Sequence, residues 1–186
     1  AAVRRRARPK TPNEDSLLWF VDEILPRLPE VTLTIIGACR SARVAALAGA
    51  RVHLRGPQED LTPFYDTARA FIAPTRFAGG VPAKVIEAAA HGLPVVATPL
   101  LVGQLGWAAG DEILSAETPA DFAASLKRLL TDDGLWARLQ AQAWQRVAAL
   151  YDPAAFAEGV RAAVCDPLSA LACQNDGEIV AQQPVG

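Results

Sequence analysis

Four short strand-like runs recur along this chain at intervals that each leave room for one helix. That alternation constrains the fold more than any other feature. The runs are Val31 to Ile36, Arg51 to Leu54, Ala70 to Ala73 and Pro94 to Thr98, and Gly37 and Gly56-Pro57 close the first two. Helical patterns fill the intervals over residues 41–48, 60–68 and 83–90, the last stopped by Gly92. Strands that alternate with helices predict a parallel sheet covered on both faces. Ahead of the first strand, Pro12-Asn13-Glu14-Asp15-Ser16 reads as a helix start with acids in its first turn. Leu17, Leu18, Phe20, Val21, Ile24 and Leu25 then recur at helical spacing up to Pro26. Beyond Thr98 the character changes. Ile113-Leu114 reads as one more short strand, followed by helices over 119–130, 134–150 and 153–164. Phe122, Leu126, Leu129 and Leu130 form the apolar stripe of the first of these; Leu135, Leu139 and Trp144 contribute to that of the second. The expected fold is α/β: a Rossmann-like open parallel sheet flanked by helices, with additional C-terminal helices.

With 186 residues, 51% of them apolar and 20% charged, the chain has enough material for one domain with a real core. The same balance excludes disorder for its bulk. No stretch reaches the roughly 18 apolar residues of a membrane-spanning helix, and no signal-peptide layout opens the chain. The absence of Met reads as the mark of a piece of something longer. Net charge is −2, but Arg4, Arg5, Arg6, Arg8 and Lys10 hold five of the 18 basic residues, and the first ten residues contain no acid. The remainder therefore carries 13 basic against 20 acidic residues, or −7, which argues against a nucleic-acid-binding face. Residues 1–10 read as a basic arm, a solvated end that also suits contact with phosphates or a membrane surface. Residues 11–164 read as the folded domain and 165–186 as a polar tail. Cys39, Cys165 and Cys173 are odd in number and lack metal-ligand spacing, which fits a reducing compartment and a cytoplasmic location.

One segment concentrates chemistry: Pro74-Thr75-Arg76-Phe77-Ala78-Gly79-Gly80-Val81-Pro82-Ala83-Lys84-Val85-Ile86-Glu87. It leaves a strand and enters a helix, the place where open α/β sheets bind ligands. Gly79-Gly80 lets the backbone approach a ligand and turn its N–H groups toward an anion. Pro82 suits a helix's first turn, and the helix N-terminus favours phosphate. Lys84 opposes the macrodipole there, a cost explained if it faces a bound diphosphate. Arg76 at the mouth of the loop suits a bidentate phosphate clamp. Glu87, one turn beyond Lys84, suits both hydroxyls of a ribose. The residues also allow a plainer reading, in which Lys84 and Glu87 form an exposed helical ion pair and Gly79-Gly80 an ordinary loop. His91, just before Gly92, reads as a structural cation at a helix C-terminus, and His53 as a solvent-side or hydrogen-bonded strand residue.

The stretch from Arg76 to Thr98, with its Glu-Ala-Ala-Ala-His-Gly-Leu-Pro-Val-Val-Ala-Thr portion, resembles the donor-binding signature of retaining GT-B glycosyltransferases of group 1. Pro12-Asn13-Glu14-Asp15, Leu33-Thr34-Ile35-Ile36-Gly37 and Asp60-Leu61-Thr62-Pro63-Phe64-Tyr65 agree, so the likeness spans about residues 11–164. It implies one half of a GT-B fold, the half that holds a nucleoside-diphosphate sugar. A glycan or lipid-linked acceptor would be bound mainly by a separate N-terminal domain. It also implies that Glu87 holds the donor ribose, that Gly79, Gly80 and Val81 approach the phosphates and sugar, and that Lys84 and Arg76 stabilise the leaving diphosphate. Arg55 and Gly56 would lie near the base. The family needs no bound metal or other cofactor, and the sequence shows no aspartate pair that would hold one.

Two departures qualify the resemblance. Many members carry a second glutamate eight positions before the ribose one, where this chain has Gly79. The strand and Gly-rich loop expected before the Pro12-Asn13 helix, and the acceptor domain, are missing, so the chain alone is expected to bind donor without transferring sugar. A non-catalytic GT-B-like assembly module, a sugar-nucleotide epimerase and a phosphorylase remain the alternatives.

Overall fold

The computed structural model describes residues 11–38, 41–77 and 79–150. The basic arm, the helix expected at 153–164 and the tail lie outside these residues. Contacts divide the chain after Arg146, and only Val147–Leu150 of the second unit are described.

The first unit opens with α1 (Pro12–Trp19), capped by Thr11, whose Oγ1 accepts from the Glu14 N–H at 3.3 Å. The helix then widens into a π turn over Phe20–Ile24 and tightens into a 3₁₀ turn over Leu25–Arg27. Pro26 has no N–H to continue an α-helical ladder, which explains a change of winding here. The rewound turn leaves both Phe20 and Ile24 fully buried.

Five strands follow with their helices: β1 (Leu33–Ile35), α2 (Ala42–Ala45), β2 (Val52–Leu54), α3 (Thr62–Thr67), β3 (Phe71–Ala73), α4 (Ala83–Ala90), β4 (Val95–Ala97), α5 (Pro99–Leu105) and β5 (Leu114–Ser115). All strand pairs are parallel, as the alternation predicts, but they form two ladders. One pairs β1 with β2, Leu33 opposite Val52; the other has the order β3-β4-β5, Phe71 opposite Val95 and Val96 opposite Leu114. Helices α6 (Pro119–Thr131) and α7 (Asp133–Leu150) complete the described chain.

One apolar core joins both ladders, beside a smaller cluster of Tyr65, Ala88 and Leu93. It takes Leu33 and Val52 from one, Val96 and Leu114 from the other, and Phe122, Leu126, Leu129, Leu135 and Leu139 from α6 and α7. Phe122 is its centre, meeting Trp19 and Phe20 edge-on at 6.1 and 6.0 Å. Burying such a ring contributes about 2–3 kcal/mol.

Three details differ from the sequence reading. Helix α5 went unread, because Gly103 interrupts it. Trp144 is 54% exposed, and the inward stripe of α7 is Leu135, Leu139 and Ala143, spaced by four. Leu130 is only half-buried at the edge of the core.

Candidate functional site

The chemistry gathers on the loop between β3 and α4, whose two ends are built differently. The first end is fastened. Thr98 Oγ1 donates to the Thr75 carbonyl, and Ser16 Oγ lies 3.3 Å from Thr75 Oγ1. Arg76 forks onto Asp15, Nε to Oδ2 at 2.9 Å and Nη2 to Oδ1 at 2.8 Å, while its guanidinium lies 5.2 Å from the Trp19 ring centre. Asp15 is buried, and its hydrogen bonds raise the Arg76 pKa above its ordinary value. The arginine expected to clamp phosphate is therefore already engaged through two of its three nitrogens. Nη1 is the one left to face a ligand.

The second end is open. Gly80 adopts φ +90°, a conformation that glycine takes without strain, and a Cβ on either Gly79 or Gly80 would meet nothing within 4 Å. Val81 is 71% exposed. Pro82 sits one position earlier than expected, at the cap of α4. Ala83 N–H donates to Val81 O and Val85 N–H to Pro82 O, so these two are spent. Among the described residues no protein acceptor takes the Gly79, Gly80 or Lys84 N–H. The Lys84 side chain is exposed and forms no ion pair there, with Glu87 or any other carboxylate. The helical ion pair allowed by the sequence is not made. Three backbone donors and an exposed ammonium thus gather at the start of α4, an arrangement whose chemistry suits an anion.

Glu87 lies one turn further along α4, exposed and next to α3. Its neighbour is Tyr65, whose pKa is raised by burial first and then by the Glu87 carboxylate. The His91 ring stacks on Tyr65, with centroids 4.6 Å apart. His91 is thus structural, as expected, although its partner is an aromatic ring. Below it α4 ends in a Schellman turn: Gly92 has φ +78°, and the Leu93 N–H reaches Ala88 O at 2.9 Å. His53 Nε2 lies 3.2 Å from Ala50 O, which satisfies it.

Arg55 and Gly56 follow β2. Arg55 N–H donates to Ile35 O, Gly37 N–H donates to Gly56 O, and Gly56 adopts φ +65°. The Arg55 side chain is exposed. Among the described residues no cluster of three or more His, Cys, Asp or Glu could hold a metal ion, and no helix is long and apolar enough to cross a membrane.

Residues 6–132, more than half of the chain, match the model of the family described as glycosyl transferases group 1. The chain belongs to this family. Solved structures agree on the fold. A sucrose-phosphate synthase from Thermosynechococcus elongatus superposes with a TM-score of 0.72 at 23% identity, covering 83% of this chain and 43% of that one. HepE from Anabaena, solved with UDP and glucose, gives 0.71 at 15% identity, over 88% and 47%. The C-terminal domain of the group 1 glycosyltransferase LpcC from Francisella tularensis gives 0.61 at 16% identity, over 75% and 82%. This group 1 chain thus spans less than half of the synthase and of HepE. No curated protein matches it.

The sequence reading did not single out Asp15, Trp19, Thr75, Thr98 or Tyr65 as neighbours of this candidate site. Asp15 was visible only as an acid in a helix's first turn; its burial against Arg76 depends on a contact 61 positions away.

Proposed function

We propose that this chain is the donor-binding half of a glycosyltransferase that passes a sugar from a nucleoside-diphosphate sugar, with retained anomeric configuration, to a glycan or lipid-linked acceptor held mainly by a separate domain. The observation that carries this reading is the open end of the β3–α4 loop. Unspent N–H groups of Gly79, Gly80 and Lys84 and the free Lys84 ammonium stand one turn from Glu87. The diphosphate docks against these donors, and Glu87 accepts hydrogen bonds from the ribose hydroxyls. Arg76, held by Asp15, turns Nη1 to the leaving phosphate. Charge that develops on the diphosphate as the glycosidic bond breaks meets preorganised donors, so catalysis is mainly electrostatic and needs no metal. Val81 lines the sugar side, and Arg55 and Gly56 lie toward the base. The reaction takes place in the cytoplasm, and the basic residues 4–10 give the chain an affinity for an anionic membrane face.

Calorimetric titration with UDP, GDP and ADP tests the site. UDP is the first choice because HepE was solved with it. Glu87→Ala and Lys84→Ala are each expected to weaken binding about tenfold, close to 1.4 kcal/mol. Binding that neither change alters rules the site out. No binding by any of the three, in a chain that folds stably, favours an assembly module.

A further inference from the structure

Glu87 is an exposed carboxylate on a long stem, and the two residues placed to meet it along α4 and its C-cap are both basic. Lys84 lies three positions before it and His91 four positions after it, the spacings that bring helical side chains together. Among the described residues neither pairs with it; the ion pairs there are made by Arg69, Arg76, Arg138 and Arg146. The His91 ring is instead laid nearly flat on Tyr65, with 24° between the two planes. The group that comes to Glu87 is a phenol from a different helix, α3.

Tyr65 is buried, and its ring packs with Ala88 and Leu93 in a small apolar cluster edged by Leu61 and Phe71. With Ala88 on one side of the ring and His91 on the other, the ring lies along α4 and its hydroxyl faces the Glu87 carboxylate. Burial raises the pKa of this phenol first, and the charge and hydrogen bonding of Glu87 raise it further. An ionised carboxylate only accepts, so the phenol O–H is the donor of the pair. The start of α3 is itself fixed: Asp60 Oδ1 accepts from Thr62 N–H at 2.9 Å, and Tyr65 N–H donates to Leu61 O at 3.1 Å. A buried ring on a fixed helix keeps its place, whereas an exposed glutamate samples many rotamers and gives up that freedom when a ligand takes it. Glu87 also has capacity for both tasks. Its two oxygens accept about four hydrogen bonds, so one from the phenol leaves enough for two hydroxyls of a sugar.

We propose that Tyr65 is a positioning residue: its hydroxyl, on a ring packed against α4 and stacked on His91, donates to Glu87 and holds that carboxylate ready for the hydroxyls of a ribose. The inference rests on the reading of Glu87 as the ribose contact and adds the group that makes the contact selective. Tyr65 touches no ligand itself. It acts by holding Glu87 away from the Lys84 ammonium one turn earlier, which is thereby left for the diphosphate.

Calorimetric titration of the full chain with UDP, GDP and ADP, each beside its 2′,3′-dideoxy form, tests this role. The ratio of the two affinities reports the grip on the ribose hydroxyls, because a change in folding or in the phosphate contacts moves both forms alike. The parent should prefer the ribose form about tenfold, and Glu87→Ala should bring the ratio close to one. Tyr65→Phe keeps the ring and its packing. It should lower the ratio to about threefold, leave the dideoxy form bound as before, and cause no further loss in the Glu87→Ala background. A ratio that falls in Glu87→Ala but holds in Tyr65→Phe overturns the positioning role alone, as does an equal loss of both forms in Tyr65→Phe. A parent that binds none of the three diphosphates, or a Glu87→Ala chain that keeps the parent's ratio, sinks the ribose contact and this role with it.

Discussion

Two cations flank the β3–α4 loop in opposite surroundings: one is held by the fold and the other stands exposed at the start of α4. Arg76 is tied to a buried carboxylate, lies over an indole ring and sits between hydroxyls that pin the loop to α1 and β4. Lys84 has no protein partner among the described residues and stands where the helix dipole disfavours it. A bidentate guanidinium locked in place loses little freedom when a phosphate arrives, whereas a free ammonium gains its partner only then. The first end of the loop therefore serves the fold by itself, and the second end is the part that the proposed diphosphate would occupy.

The largest expected effect lies at the fastened end. Arg76→Ala removes the bidentate guanidinium from the buried Asp15 carboxylate, which should cost about 1–3 kcal/mol in urea unfolding, toward the low end because Arg76 is 43% exposed. Lys84→Ala should stay within about 0.5 kcal/mol of the parent or slightly stabilise it. Equal costs at the two positions would break the contrast. Next comes ligand affinity. Lys84→Ala should weaken UDP about tenfold while leaving uridine nearly unchanged, since only the former presents a diphosphate; a matched loss for both ligands would place Lys84 elsewhere.

Smaller effects sharpen the open end. Gly80→Ala should cost about 1 kcal/mol through its positive φ and not through a clash, while Gly79→Ala, with open space and no positive φ, should be close to neutral. Thermal melts of the two variants test the difference. The smallest effect is the titration of Tyr65. Burial and the Glu87 carboxylate raise its pKa in the folded state, so its contribution to stability is fully present below the unfolded value of about 10 and is lost as pH rises through the folded value. Phenolate absorbance should show this tyrosine titrating above 10, and Glu87→Gln should move its midpoint down. An unmoved midpoint would separate Tyr65 from Glu87.

The parallel strands and the loop with its glycines were legible because period, punctuation and helix-end chemistry are local. Helix α4 was read at Ala83–Ala90 to the residue, with Gly92 as its stop. Trp144 misled through its size: helical spacing from Leu135 and Leu139 points to Ala143, and the larger side chain faces out. Arg76 was read as free because its partner, Asp15, belongs to another helix. The split between ladders was equally hidden, since β1 and β3 look as strand-like in sequence as β4.

By itself the sequence determined which segments become strands and helices, that the strands lie parallel, and where backbone donors meet a helix start. These depend on residues within a turn or two of one another. Only the tertiary structure decided which cation is engaged, which residue accompanies Glu87, and that the described strands pair as two ladders. Each of those is a pairing between distant positions, and pairing energy depends on burial and distance, which appear only once the chain has packed.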